Sequence, residues 1–139
     1  MGNIEETRRY FKAWSDHDAD AVLATFIEGG TYQDCMTGGP VAGDAMRGYC
    51  NVCWTAFPDL VFEIESIGEM GPNLVAVQWI GRGTFKGDLM GLPPTGKTVA
   101  LHGADFVVHK DVKIQSVTGY FDSADWFRQA GVNVIVQPF

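Results

Sequence analysis

One acidic side chain interrupts an apolar stretch of the sequence. Asp105 lies in the segment 99–108, where Leu101 and Val107 would share one face of a strand with it. Burial of an unpaired carboxylate is costly and raises its pKa toward neutrality. A carboxyl group of that kind suits general acid or base catalysis near neutral pH. The alternative is an ion pair with a cation on a neighbouring strand, for which Arg82 is the candidate.

Two other residues are candidates for catalysis, Asp122 and Gln33. Asp122 follows the last predicted strand, where it could act as an acid at the rim of a cavity, or simply cap the next helix. Tyr32, Gln33 and Asp34 share one predicted strand, so only one alternating set points inward. If Gln33 points inward it can orient a substrate carbonyl, and Asp34 is then expected at the surface.

The substrate-binding candidates are mostly aromatic, and together they could enclose a flat, apolar ligand. Met90 lies in a Gly/Pro-containing loop and is expected to form a lid. His102 would face away from Asp105 unless the strand is bulged, and the alternative is a core or interface histidine. The full set is Tyr32, Trp54, Phe57, Trp79, Met90, His102 and Tyr120.

Other chemistries are not favoured by the sequence. Cys50 and Cys53 form a Cys-x-x-Cys pair, but they lie on the apolar stripe of a predicted helix and are interpreted as small hydrophobic residues. The sequence contains no phosphate-binding glycine motif, no metal-ligand spacing and no Gly-x-Ser-x-Gly motif. We therefore expect no metal and no cofactor, and chemistry that depends on acid/base groups.

The spacing of apolar residues predicts helices in the first half and strands in the second. An α+β domain follows, with helices on one face of a four- to five-stranded antiparallel sheet. The predicted helices have apolar stripes over 4–14, 19–27 and 46–57, the strands cover 31–34, 60–65, 74–85, 98–110 and 113–121, and a short helix covers 123–130.

Length and charge limit the classes of partner. The chain has 139 residues, which is expected to form one domain, and its formal net charge is −7. Without a cluster of cations it is not expected to bind nucleic acid, and without a long apolar run it is not expected to span a membrane.

The cysteine count indicates the compartment. Three cysteines, an odd number, cannot all pair within one chain, which suits a reducing cytoplasm. His17 and His109 are expected at the surface.

Several segments together resemble the SnoaL-like polyketide cyclases of the nuclear transport factor 2-like superfamily. They are Phe57–Leu60, Gly83–Lys97, Lys113–Ile114 and Arg128–Gly131. The resemblance implies a cone-shaped, cystatin-like α+β fold over residues 1–139, in which N-terminal helices and a curved antiparallel or mixed sheet enclose a pocket. It also implies a homodimer that forms through the outer face of the sheet.

The resemblance implies a function as well. The acid/base aspartate of the cyclases corresponds to Gly119 here, their active-site histidine to Asp105, and a polar pocket residue to Gln33. The expected activity is cofactor-independent acid/base chemistry, such as aldol-type cyclisation, isomerisation or hydration, on a hydrophobic carbonyl compound such as a polyketide. The alternatives are a binding module with the same pocket and no turnover, and an interaction protein that only forms dimers.

Overall fold

Helices and strands occur in the order that the sequence predicts. The structure is a computed structural model that describes residues 2–138. Its helices are α1 (Asn3–Ser15), α2 (Ala19–Ala24), α3 (Asp44–Ala56) and α4 (Ser123–Gln129). Its strands are β1 (Phe26–Gln33), β2 (Val61–Gly71), β3 (Leu74–Thr84), β4 (Thr98–Lys110) and β5 (Lys113–Phe121). The α+β class is confirmed.

The five strands form one mixed sheet in the order β1-β5-β4-β3-β2. Strands β2 to β5 are consecutive antiparallel neighbours, as predicted. Strand β1 runs parallel to β5, with Tyr32 beside Val117, so the sheet is the mixed one of the two expected arrangements. A parallel pair requires a long connection, and here α3 and three strands separate the two.

The second helix is shorter than its apolar periodicity predicts. It ends at Ala24, and Phe26 and Ile27 belong to β1 rather than to a helical stripe. Phe26 is paired with Ile114 of β5. Pairing with a distant strand therefore prevails over the local three- and four-residue spacing.

The hairpin between β4 and β5 turns at Asp111 and Val112, as predicted. Both residues have positive φ, 50° and 73°, and this conformation is strained for a β-branched side chain such as Val112. His109 beside the turn is only 3% exposed, so the prediction that it lies at the surface is wrong. Its Nδ1 donates to the Val112 carbonyl at 2.8 Å and its Nε2 lies 2.9 Å from the Thr7 hydroxyl, which links the hairpin to α1.

The N-terminal helices cover one face of the sheet, and the main core lies between these helices and the sheet. Strands β3 and β4 direct alternate side chains into this core, among them Val75, Val77 and Val107. Helix α1 contributes Tyr10, Phe11 and Trp14 to the same core. A second cluster around Phe85 and Trp126 packs beneath α4.

None of the helices among residues 2–138 is both long and apolar enough to cross a lipid bilayer.

Candidate functional site

A cavity of about 130 Å³ lies between the sheet and the helices. Its walls are mainly aromatic and aliphatic side chains from α1, α3 and α4, from all five strands and from the loops beside them. No Lys, Arg or His lines it in the described part of the chain. Apart from tryptophan indole N–H groups, the polar lining groups are two carboxyls, three phenols and one thiol, from Asp34, Asp105, Tyr10, Tyr32, Tyr49 and Cys53.

Asp105 is the most deeply buried carboxyl of the cavity. The alternation of β4 points it toward the helices, where it is 4% exposed. The indole Nε1–H of Trp79 donates to its Oδ1 at 3.0 Å. No cation pairs with it among residues 2–138, since Arg82 instead contacts Glu63 at 3.5 Å on the surface. The alternative of an Asp105–Arg82 ion pair is therefore wrong.

Burial determines the protonation of this carboxyl. Loss of solvation raises the pKa of Asp105 from 3.8 to about 7, although the hydrogen bond from Trp79 opposes the rise. The nearby charge of Asp34 raises it further. A group with such a pKa is present in both protonated and ionised forms near neutral pH, as acid/base catalysis requires.

Gly119 provides the space that Asp105 occupies. The two residues are partners in the β4–β5 ladder, so side chains at both positions point to the same face of the sheet. A Cβ atom at position 119 would lie 2.9 Å from Oδ1 of Asp105 and 3.5 Å from the Tyr32 hydroxyl. The carboxyl of Asp105 thus lies where a side chain at position 119, the family's acid/base position by resemblance, would begin.

A second carboxyl, that of Asp34, lies just beyond the end of β1. The hydroxyls of Tyr32 and Tyr49 donate to its Oδ2 at 2.5 and 2.6 Å, and the backbone N–H of Met36 donates to its Oδ1 at 2.7 Å. The two phenol rings stack with centroids 5.5 Å apart. These contacts hold Asp34 in the lining of the cavity rather than at the surface, so the prediction of a surface Asp34 is wrong.

Helix α1 contributes two hydrogen-bond donors to the cavity, from Tyr10 and Trp14. Burial raises the pKa of the Tyr10 phenol well above its usual value, and the charge of Asp105 raises it further, so the phenol keeps its proton. The indole Nε1–H of Trp14 is buried and lies near the Tyr10 hydroxyl, whose pKa it lowers, but it makes no hydrogen bond of good geometry among residues 2–138. An unpaired buried donor is unfavourable, and a ligand oxygen could satisfy it.

Five of the residues that the sequence singles out line this cavity: Asp105, Tyr32, Phe57, Trp79 and Met90. Met90 lies at the opening, with 66% of its surface exposed and a positive φ of 47° in the loop between β3 and β4. The structure therefore brings these residues together from three strands, the end of α3 and one loop.

The other five lie outside the lining of this cavity. Tyr32 points inward, so its neighbour Gln33 points away. Trp54 is buried, but its indole donates to the Trp14 carbonyl at 3.1 Å and its ring stacks on His17. His17 is thus half-buried rather than exposed. Asp122 caps α4 by accepting from the backbone N–H groups of Ala124 and Asp125.

His102 and Tyr120 lie on the opposite face of the sheet from Asp105. The β4 strand alternates without a bulge between His102 and Asp105, and both His102 and Tyr120 are exposed. Tyr120 is 60% exposed and packs edge-on against Phe106. This outer face is the one through which a homodimer is predicted, and sedimentation at low concentration tests that prediction.

The cysteines carry no sign of reactive thiols. Cys50 and Cys53 lie on α3 against the core, and all three cysteines are free. Burial raises the pKa of both Cys50 and Cys53 to about 12, so these thiols stay protonated at neutral pH. This environment supports their interpretation as small hydrophobic residues.

Sequence reasoning missed Tyr10, Tyr49 and Asp34 as polar groups of the site. A signal was present for Tyr49, which lies on the predicted apolar stripe of α3 and carries a hydroxyl that needs a partner when buried. Tyr10 is three residues after Thr7 and four before Trp14, so it extends the predicted stripe of α1. No sequence signal showed that Asp34 would be that partner.

Comparison with known proteins agrees with this architecture. The model of the SnoaL-like polyketide cyclase family matches residues 5–130. None of the curated proteins matches the sequence. A candidate SnoaL-like polyketide cyclase from Jannaschia sp. CCS1 superposes with a TM-score of 0.84 at 19% identity, over 95% of this chain and 93% of that one.

Two other solved structures are similar. IdmH from Streptomyces antibioticus, described as a candidate polyketide cyclase, gives a TM-score of 0.82 at 21% identity, over 95% of this chain and 100% of that one. A protein from Catenulispora acidiphila with a ketosteroid isomerase-like fold, solved with trimethylamine, gives 0.80 at 21% identity, over 96% and 98%. These likenesses confirm the predicted fold. By the match of its family model, the chain belongs to the SnoaL-like polyketide cyclase family.

Proposed function

We propose that the protein is an enzyme that performs cofactor-independent acid/base chemistry on a hydrophobic carbonyl compound. One observation carries the proposal: a carboxyl with a pKa of about 7 is buried in an apolar cavity and paired with no cation among residues 2–138. Such a carboxyl can exchange a proton with a bound substrate. Asp105 is therefore the proposed catalytic residue.

The remaining groups of the cavity suit a carbonyl ligand. The indole N–H of Trp14 is a donor in need of an acceptor, and the Tyr10 phenol is a second donor that keeps its proton. Donors fixed in a dry site stabilise the negative charge that develops on a carbonyl oxygen during enolisation. Aldol-type cyclisation, isomerisation and hydration all involve a proton transfer of this kind.

The size of the cavity indicates the part of the ligand that is enclosed. Its volume of about 130 Å³ is close to that of an engineered apolar cavity, about 150 Å³, which holds one benzene molecule. One ring of the substrate would lie against Trp14, Phe62 and Trp79, and larger substrates would extend past Met90 at the opening. Membership of a polyketide cyclase family supports a polyketide as the substrate class.

A proton-exchange assay tests the proposal. The probe is β-tetralone, a neutral two-ring ketone, and NMR follows the replacement of its α-hydrogens by deuterium in D₂O. We expect the wild-type protein to accelerate exchange with an apparent pKa near 7. We expect Asp105→Asn to lose about 10²- to 10⁴-fold of this acceleration. The matched control is Asp20→Asn, on a side chain that is 87% exposed.

The two outcomes of this assay separate an enzyme from a binding module. Binding is followed through quenching of tryptophan fluorescence by β-naphthol, a planar mimic of the enol of β-tetralone. A wild-type protein that binds β-naphthol but does not accelerate exchange would be a binding module. Equal acceleration by the wild type and Asp105→Asn would remove Asp105 from the mechanism.

A further inference from the structure

Asp34 differs from Asp105 in the number of hydrogen bonds that it accepts. Three donors converge on Asp34, namely the hydroxyls of Tyr32 and Tyr49 and the backbone N–H of Met36. An ionised carboxylate has about four acceptor sites and can accept all three bonds, which leaves about one site free. A protonated carboxyl would bring a further donor into this group of donors. The contacts therefore fit the ionised form of Asp34.

Asp105 has the opposite environment in the same cavity. It accepts one hydrogen bond, from Trp79, and no other partner reaches it within residues 2–138. Burial first, and then the charge of Asp34, favours the protonated form of Asp105. Both aspartates line the same cavity and border the space at Gly119, where a Cβ atom would lie 2.9 Å from Oδ1 of Asp105 and 3.6 Å from Cβ of Asp34. Two titratable groups whose surroundings favour opposite protonation states can divide acid and base roles between them.

We propose that Asp34 is the catalytic base of this site and that the protonated Asp105 is its acid. This inference rests on the proposed function and assigns a direction to its proton transfer. The carboxylate of Asp34 removes a proton from the carbon next to the substrate carbonyl. The electron pair of that C–H bond forms a carbon–carbon double bond, and the carbonyl π pair moves to oxygen, which takes the proton of Asp105.

The products of this step are an enol, a protonated Asp34 and an ionised Asp105. In the isomerisation of a carbonyl compound with a β,γ double bond, the enol is a conjugated dienol. Asp34 gives its proton to the γ carbon, the remaining carbon–carbon double bond moves to the α,β position, and the enol oxygen returns its proton to Asp105, so the enzyme is restored. The total number of protons is unchanged at each step. The two carboxyls exchange protonation states once in each direction, and no oxidant or reductant takes part.

The charges of the cavity lining also limit the charge of a substrate that can bind. The cavity lining contains a carboxylate and, in the described residues, no Lys, Arg or His. A substrate carboxylate or phosphate would be repelled by Asp34 and would find no cation to pair with. The substrate is accordingly an uncharged carbonyl compound.

Tyr49 acts through Asp34 and is a positioning residue. It reaches the carboxylate from α3 with a hydrogen bond of 2.6 Å. Removal of this donor would leave the carboxylate with one hydrogen bond fewer to fix its orientation toward the substrate. In Tyr49→Phe we therefore expect the rate of β-tetralone exchange to fall about 10- to 10²-fold while the affinity for β-naphthol is unchanged.

The decisive experiment compares Asp34→Asn with Asp105→Asn and the Asp20→Asn control in the β-tetralone assay. We expect Asp34→Asn to lose about 10²- to 10⁴-fold of the exchange rate while it still binds β-naphthol. The neutral probe β-naphthol should bind. β-Naphthoate, the corresponding carboxylate, should bind at least about tenfold more weakly because Asp34 repels it, and a factor of ten corresponds to about 1.4 kcal/mol.

Each result bears on one of the two proposals. If Asp34→Asn exchanges at the wild-type rate while Asp105→Asn does not, Asp34 is not the base and the proposed function stands. If the wild-type protein itself does not accelerate exchange, the proposed function fails. Should Asp34→Asn not fold, Tyr49→Phe decides, because a purely structural network would lower its stability without lowering the exchange rate of the folded protein.

Discussion

The burial of Asp105 makes the protein less stable as the pH rises toward neutrality. The unfolded chain releases this proton near pH 3.8, whereas the folded protein keeps it up to about pH 7. Between these values the native state binds one proton more than the unfolded state, so the free energy of unfolding falls with increasing pH. At 1.36 kcal/mol for each pH unit, the free energy of unfolding falls by about 4 kcal/mol over about three pH units.

Urea denaturation of the wild type and Asp105→Asn across this pH range measures the effect. The other carboxyls titrate in both proteins, so the difference between their free energies of unfolding isolates Asp105. We expect Asp105→Asn to gain about 4 kcal/mol relative to the wild type between about pH 4 and about pH 7, and no more above it. Asp20→Asn, which changes an exposed carboxyl, is the matched control. Parallel curves for Asp105→Asn as well would refute a buried, protonated Asp105.

Three other predictions concern single residues. Gly119→Ala should lower the free energy of unfolding by about 1–3 kcal/mol and abolish β-tetralone exchange, because its Cβ would displace Asp105; normal exchange would contradict this. Val112→Gly should stabilise the hairpin by about 1 kcal/mol in thermal unfolding by relieving a positive φ, and a loss of stability would count against strain there. Asp122→Ala should cost about 1 kcal/mol in urea denaturation and Asp122→Asn much less, since asparagine also caps helices; equal losses would argue against a capping role.

The sequence predicts most of the fold because most of its elements have a clear period and clear ends. The strand 98–110, the turn at Asp111 and Val112, and the strand 113–121 agree with the structure. The end of α2 and the start of β1 differ, because Phe26 and Ile27 fit a helical spacing locally while their strand partner is on β5. The local sequence carries no information about such a distant partner.

The residues of the candidate site could likewise be predicted only in part from the sequence. Asp105 could be identified because a carboxyl among alternating apolar residues is conspicuous, and its burial follows from the period of the strand. Asp34 could not, because its place in the cavity depends on a hydroxyl from α3 and on the end of a parallel strand. His109 is buried for a similar reason, since its partner Thr7 is on α1.

The pairing of Asp105 with Gly119 also bears on how relatives of this protein can be compared. Residues opposite each other on adjacent strands send their side chains into the same volume, so an essential carboxyl could pass from one strand to its neighbour during evolution without leaving its place in space. A column-by-column comparison would score such a relative as having lost its acid. Members of this family with glycine at that column should be searched for an acidic residue directly across the ladder.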